Sequence, residues 1–122
     1  MPHDIATLLY RNLHDVFGEN DAARRRIAIE EIFHEDAVFY EIQGVHQGWD
    51  NIDRIAGEIR STHPDFAYTE IHPVDDLHSI AGRTRWISGR PNEAPAYAGT
   101  DIIVARDGRI AAVYLFFDDL PF

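Results

Sequence analysis

The chain has 122 residues, of which 45% are hydrophobic and 11% aromatic, and these values predict one folded globular domain and exclude a disordered chain. Its formal net charge of -10 repels nucleic-acid backbones and anionic membrane surfaces, so we predict neither as a partner. The absence of cysteine excludes disulfides, thiolate zinc sites and cysteine nucleophiles.

The N-terminus lacks the basic start and the continuous apolar stretch of a signal peptide. No apolar run approaches the roughly 20 residues that a membrane-spanning helix needs. The only basic run, residues 24–26, points in three directions around a helix, so we interpret it as a solvated helix surface. We therefore predict a single cytoplasmic domain that spans residues 1–122.

Two amphipathic helices are predicted in the first third of the chain. Asp4 is placed to cap the first helix and Gly18 to end it. The second helix begins near Asp21, an acceptable N-cap, and ends before His34. The apolar residues of the first helix recur at three- and four-residue spacings, which is the period of a buried helix face: Ile5, Leu8, Leu9, Leu13, Val16 and Phe17.

The next segment is predicted to form a strand, a loop and a third helix. Residues 37–42 are β-branched and aromatic, which favours a strand, and the glycines of residues 44–48 favour a turn. Residues 52–59 carry a third apolar stripe. That helix should end before His63 and Pro64, because the residue that precedes a proline is pushed out of helical geometry.

From residue 66 onward the pattern predicts four consecutive antiparallel strands, residues 66–74, 80–88, 96–106 and 109–118. The Asp107-Gly108 pair between the last two strands is a strong signal of a two-residue reverse turn, which needs a positive φ angle at both positions. Because the helices precede most of the strands, we predict an α+β domain.

Several segments, in this order, resemble the NTF2-like superfamily and its branch of SnoaL-type polyketide cyclases and ketosteroid isomerases. The resemblance rests on residues 33–38, 44–49, 99–102, 107–110 and 116–118. It implies a cystatin-like cone, in which three N-terminal helices pack in a strongly curved, mostly antiparallel sheet around an apolar pocket. It also implies homodimers through the outer sheet face, and catalysis by buried carboxylates without a metal or an organic cofactor.

Asp101 is the main candidate for catalysis. Burial disfavours a charged carboxylate, so a protonated Asp101 can donate to a developing enolate and an ionised one can abstract a proton. The resemblance to ketosteroid isomerases implies an oxyanion-hole acid, whereas that to SnoaL proteins implies a base. The alternative is a structural aspartate paired with Arg83 or Arg85. Strand alternation gives Asp101 small and apolar neighbours on its own face: Tyr97, Gly99, Ile103 and Ala105.

Three further side chains are candidates for proton transfer. Glu41 resembles the general base of the isomerases, with a glutamate in place of their aspartate; the alternative is a solvated carboxylate at a strand end. Tyr10 resembles their tyrosine on the first helix, and the alternative is a tyrosine at the core edge. His46, in the glycine-flanked loop, is either a proton shuttle or an exposed histidine.

An aromatic wall for a flat ligand is predicted beside Asp101. Trp86 resembles the tryptophan that SnoaL-like proteins direct into their pocket. The alternative is that these aromatic residues belong to the ordinary core. The wall would combine Trp86 with four others, Phe17, Phe39, Tyr97 and Phe116.

Some motifs are missing. The histidine-bearing hairpin of SnoaL-type cyclases is replaced by residues 88–93, and the apolar surroundings of Leu115 lack the aspartate that related epoxide hydrolases need, which excludes that reaction. The seven histidines form no His-Glu-x-x-His pattern, so no metal site is predicted, and no phosphate-binding loop is present.

Three functions follow from these observations. The first is acid/base catalysis, an isomerisation or a cyclisation, on a small hydrophobic carbonyl compound. The second is a binding module without catalysis that holds a small apolar ligand or docks a partner protein. The third is a dimerisation domain that uses an outer sheet face: Ile102, Val104, Val113 and Leu115.

Overall fold

Residues 3–120 are the part of the chain that the computed structural model describes, and its first two α-helices begin at side chains that satisfy free N–H groups. Asp4 accepts a hydrogen bond from the Thr7 N–H at 2.7 Å, and Asp21 accepts from the N–H groups of Ala23 and Arg24. Both caps were predicted from the sequence. The α-helices of this part are α1 (Ile5–Arg11), α2 (Ala22–Ile32) and α3 (Gly48–Thr62).

Helix α1 continues directly into a π-helical segment, Asn12–Phe17, which ends at Gly18 as predicted. The predicted apolar face of this helix is buried along its whole length. The wider turns of the π-helical segment were not predicted, and such turns are frequent at functional sites. Asn12 lies at the junction and is buried, so this helix directs one amide toward the sheet.

The helices pack on a seven-stranded sheet with the order β2-β1-β7-β6-β5-β3, and β4 pairs beside β3 on β5. All pairs are antiparallel except β1 with β7. The Asp107-Gly108 turn has φ angles of 55° and 73°, which confirms the predicted hairpin. The strands are β1 (Phe33–Glu41), β2 (Gly44–Gln47), β3 (Ala67–Glu70), β4 (Asp75–Leu77), β5 (Ala81–Gly89), β6 (Tyr97–Arg106) and β7 (Arg109–Asp118).

Two predicted segments differ in the structure. Residues 44–48, predicted as a loop, contain β2, whose Gly44 pairs with Glu41 in a tight hairpin. The strand predicted for residues 66–74 is shorter in the structure, because β3 ends at Glu70, and β4 begins at Asp75, outside the predicted strands. Pro73 lies between them, and a proline has no N–H for a sheet hydrogen bond.

A one-residue shift between β6 and β7 changes which side chains face the helices. Arg106 pairs with Arg109 and Ala105 with Ile110, but Val104 pairs with Ala112. Beyond such a bulge every side chain moves to the other face. The outer face predicted for Val113 and Leu115 is therefore wrong: Val113 is in the core and Leu115 faces inward.

The outer face of β7 instead carries Tyr114 and Phe116. The Tyr114 ring stacks on that of Tyr40 with centroids 4.9 Å apart, and Phe116 is exposed. These aromatic side chains lie on the surface through which a homodimer was expected, and the homodimer stays a prediction.

The predicted α+β class is confirmed, although the sheet is not strongly curled. None of the helices in residues 3–120 combines the length and the apolar character that crossing a bilayer requires. The largest fully buried side chains come from all three helices and the central strands: Phe33, Phe39, Ile5, Leu8, Leu9, Leu13, Ile29, Ile32, Ile52, Ile103, Ile110 and Val16.

Candidate active site

A cavity of about 310 Å³ lies between the helices and the inner face of the sheet. Volumes of this size are typical of small-ligand sites. Most of the lining is apolar or aromatic, and two carboxyl groups, Asp101 and Glu41, interrupt it. The aromatic and histidine side chains of the lining are Phe17, Phe39, His63, Phe66, Tyr68, Trp86, Tyr97 and Phe117.

Asp101 is buried at the inner face of β6, with 5% of its surface exposed. Burial raises its pKa from 3.8 to about 7, although the N–H groups of Trp86 and Asn12 lower it. The alternative interpretation, in which Asp101 forms an ion pair with Arg83 or Arg85, is wrong. Arg83 contacts Asp75 at 2.7 Å, and Arg85 lies 3.8 Å from Asp118. Close to neutral pH, Asp101 is therefore present both as an acid and as a carboxylate.

Buried polar atoms with no hydrogen-bond partner in the described residues surround Asp101. They are Asn12 Oδ1, Thr84 Oγ1 and the indole Nε1 of Trp86. Asn12 Nδ2 lies 3.5 Å from Asp101 Oδ2, and the Trp86 N–H lowers the Asp101 pKa without forming a hydrogen bond of standard geometry. Unpaired buried polar groups are rare and need an explanation. Asp101 lines the cavity, so its carboxyl group is the partner that a polar group of a ligand would meet there.

Glu41 lies at the end of β1 with 8% of its side chain exposed, so it is not a solvated surface carboxylate. One of its oxygens accepts the Gln43 N–H at 2.7 Å, and His46 Nε2 lies 3.3 Å from the other. His46 is outside the cavity lining, and its connection to the cavity is its contact with Glu41. The hydrogen bonds hold Glu41 in place on the same cavity as Asp101.

Tyr68 on β3 belongs to the cavity lining but was not predicted. Its ring meets the Trp86 ring edge-on, with centroids 5.0 Å apart. Burial, followed by the negative charge of Asp101, raises the pKa of Tyr68 to about 12, against a lowering effect of Arg60. Its hydroxyl therefore keeps its proton at neutral pH and remains a hydrogen-bond donor.

The structure brings most, but not all, of the predicted residues to the cavity. Tyr10 lies outside it: its side chain is exposed and packs on His14, with ring centroids 4.4 Å apart. Phe116 also lies outside, because the β6–β7 shift pairs Phe117 with Gly99 and turns Phe117 inward. The predicted residues that do line the cavity are Asp101, Glu41, Phe17, Phe39, Trp86 and Tyr97.

Asn12 was missed, although the sequence holds a signal for it. It lies four residues after Leu8 and four before Val16, so a polar residue interrupts the apolar face of the first helix. A buried polar side chain in such a position usually has a specific partner. Across residues 3–120 no cluster of three His, Asp or Glu side chains could hold a metal ion.

We expect Gly99→Ala to destabilise the fold by about 1–3 kcal/mol and to displace the Trp86 indole. A Cβ atom at Gly99 would lie 2.8 Å from Trp86 Cε2, which is shorter than any normal contact. Urea unfolding and tryptophan fluorescence measure the two effects. Gly44→Ala is the matched control, since its Cβ would meet only the His46 ring at 3.4 Å. Equal stability of the two variants would contradict the tight packing of Trp86 on β6.

Comparisons with known proteins give matches among solved structures. No sequence-family model and no curated protein matches the chain. A proposed isomerase of the SnoaL-like family from Agrobacterium tumefaciens superposes with a TM-score of 0.84 at 23% identity, over 93% of this chain and 96% of that one.

Two more structures extend the likeness. A proposed polyketide cyclase from Sinorhizobium meliloti has a TM-score of 0.67 at 21% identity, over 90% of this chain and 94% of that one. A proposed ketosteroid isomerase from Kribbella flavida has a TM-score of 0.67 at 15% identity, over 93% and 76%. The predicted resemblance to the NTF2-like superfamily and its SnoaL-like branch is confirmed at the level of the fold.

Proposed function

We propose that this chain, which has the NTF2-like fold of SnoaL-like proteins, catalyses proton transfer beside the carbonyl group of a small hydrophobic compound. The observation that carries the proposal is that two carboxyl groups in different surroundings, those of Asp101 and Glu41, line the same apolar cavity. Isomerisation and cyclisation both begin with such a proton transfer. Because fold alone does not fix function, the proposal depends on these side chains.

Glu41 is the general base in this scheme. Its carboxylate takes a proton from the carbon next to the carbonyl group, and the electron pair of the broken C–H bond moves toward the carbonyl oxygen. The Gln43 N–H and the ring nitrogen Nε2 of His46 fix the orientation of the carboxylate. His46 is thus a positioning residue, and Glu41 is the catalytic one.

Protonated Asp101 and the Tyr68 hydroxyl stabilise the negative charge that develops on the oxygen. Both side chains are largely removed from solvent, where such hydrogen bonds are strongest. With a pKa of about 7, Asp101 keeps enough of its acid form at neutral pH to donate. Return of a proton to carbon, from Glu41, completes an isomerisation and restores the starting state of the site.

Deuterium exchange into 2-tetralone, a flat ring ketone, tests this proposal, because it reports proton removal whatever the final product is. In D₂O the protein should accelerate the loss of the α-proton signal in NMR spectra, and Glu41→Gln should abolish most of the acceleration. Asp107→Asn is the matched control, since it removes one exposed negative charge in the turn between β6 and β7, outside the cavity lining. An exchange rate that is the same with wild type and with Glu41→Gln would overturn the proposal.

A binding module without catalysis is the second candidate, and the largely apolar and aromatic lining of the cavity favours it. Affinity would then come from apolar area, so Asp101→Asn would leave ligand binding nearly unchanged. A large loss of exchange activity in that variant is incompatible with this alternative.

A further inference from the structure

Four rings form an aromatic mouth at the opening of the cavity: His63, Phe66, Tyr97 and Phe117. The Tyr97 ring is central, with its centroid 6.0 Å from His63, 6.2 Å from Phe66 and 6.1 Å from Phe117, and it is tilted by about 50° to each. Tyr97 and Phe117 are 44% and 54% exposed although both line the cavity. Ring surfaces are thus available to a ligand at the entrance.

The cavity lining contains more acidic than basic side chains. Its acids are Glu41 and Asp101, its arginine is Arg60, and the sequence contains no lysine. Each guanidinium nitrogen of Arg60 already donates inside the protein, Nε to Asn20 Oδ1 at 2.8 Å, Nη1 to the Phe66 carbonyl at 2.9 Å and Nη2 to the Pro64 carbonyl at 2.7 Å. Among the described residues, the cavity lining therefore has no arginine without protein hydrogen bonds that could bind a carboxylate or a phosphate of a ligand.

Asp101 has few hydrogen bonds at the deep end of the cavity. Its carboxyl group makes one long hydrogen bond, to Asn12, and the buried Trp86 N–H faces the same group. A negative ligand would face the Asp101 carboxylate as it forms. A neutral polar group of a ligand therefore fits at this end.

We propose, building on the proposed function, that the ligand is a hydrophobic compound with one positively charged nitrogen of the tertiary or quaternary ammonium class. The ring faces of the aromatic mouth hold this nitrogen, because the negative face of an aromatic ring attracts a cation without needing a hydrogen bond. Glu41 and the net charge of -10 add a long-range attraction for cations. The carbonyl group of the same compound then lies toward Asp101 and Tyr68.

Choline and 3,3-dimethylbutan-1-ol test this inference, since they have the same shape and differ by the charged nitrogen. NMR shifts of the aromatic-mouth residues give both dissociation constants. We expect wild type to bind choline about tenfold more tightly, which is about 1.4 kcal/mol and within the range of cation–π contacts. Equal affinity, tighter binding of the alcohol, or no shift with either compound would overturn the inference.

Variants of Tyr97 and Glu41 measure separately how the aromatic ring and the negative charge contribute to choline binding. Tyr97→Leu should remove most of the preference for choline, whereas Tyr97→Phe should keep it, because the ring remains. Glu41→Gln should weaken choline binding with little effect on the alcohol, and Asp107→Asn should change neither. In wild type, absence of a choline preference together with normal 2-tetralone exchange would contradict this inference alone. Absence of exchange with an intact choline preference would contradict the proposed function alone.

Discussion

The free energy of unfolding should fall by about 4 kcal/mol between about pH 4 and about pH 8 because of Asp101, and Asp101→Asn should remove this part of the fall. Burial raises the pKa of Asp101 to about 7 in the folded chain, and the unfolded chain keeps the ordinary value of 3.8. Below 3.8 the carboxyl is protonated in both states. From there to about 7 unfolding releases a proton, so stability declines as the pH rises.

Urea unfolding of wild type and Asp101→Asn at both pH values measures this effect. The comparison cancels the repulsion among the other acidic groups, which both chains share. Asp107→Asn, at an exposed turn, should follow wild type. If Asp101→Asn loses stability as steeply as wild type, the Asp101 carboxyl is solvated and its burial has no electrostatic consequence.

The same variant should lower the rate of α-proton exchange in 2-tetralone by about 10²- to 10³-fold, which is the usual effect of removing one oxyanion donor. An amide in place of the carboxyl group keeps the shape of the side chain but cannot supply an acidic proton. Binding of the ketone should change little, because most of the contact area is apolar. The loss should therefore appear in kcat and not in KM.

The pH profile gives an independent check on the same role. If protonated Asp101 is the donor, the wild-type rate should fall as the pH rises through about 7, where the acid form disappears. In Asp101→Asn this decline should be absent. A wild-type rate that instead rises through this pH range would assign Asp101 the role of base, as the SnoaL resemblance implied.

The helices and the final hairpin were predictable because their signals are local. The caps at Asp4 and Asp21, the stop at Gly18 and the Asp107-Gly108 turn each depend on a few neighbouring residues. The β6–β7 bulge has no such signal in the sequence. A shift of one residue reverses the two faces of a strand. Because of this bulge, Phe116 faces outward and Phe117 faces the cavity, whereas Phe116 was expected there.

The site was predictable where an unusual residue marks it. Asp101 stands out as an acid in an apolar strand, and Glu41 was identified by resemblance. Tyr68 and His63 were missed, because their place in the cavity depends on how β3 and the end of α3 pack against Trp86 and Tyr97. Such contacts between distant segments leave no periodic pattern in the sequence.

The position of β7 between β1 and β6 governs the order in which the molecule can be assembled. Until Arg109–Asp118 is in place, the β1–β2 hairpin and the unit formed by β3 to β6 share no strand pairing, and each presents an unpaired edge. During synthesis these edges are open to pairing with other chains, and the non-local pairing of β1 with β7 is intrinsically slow. Glu41 and Asp101 come from the two separate parts, so a ligand that bridges them can stabilise the chain only after the ribosome has completed β7.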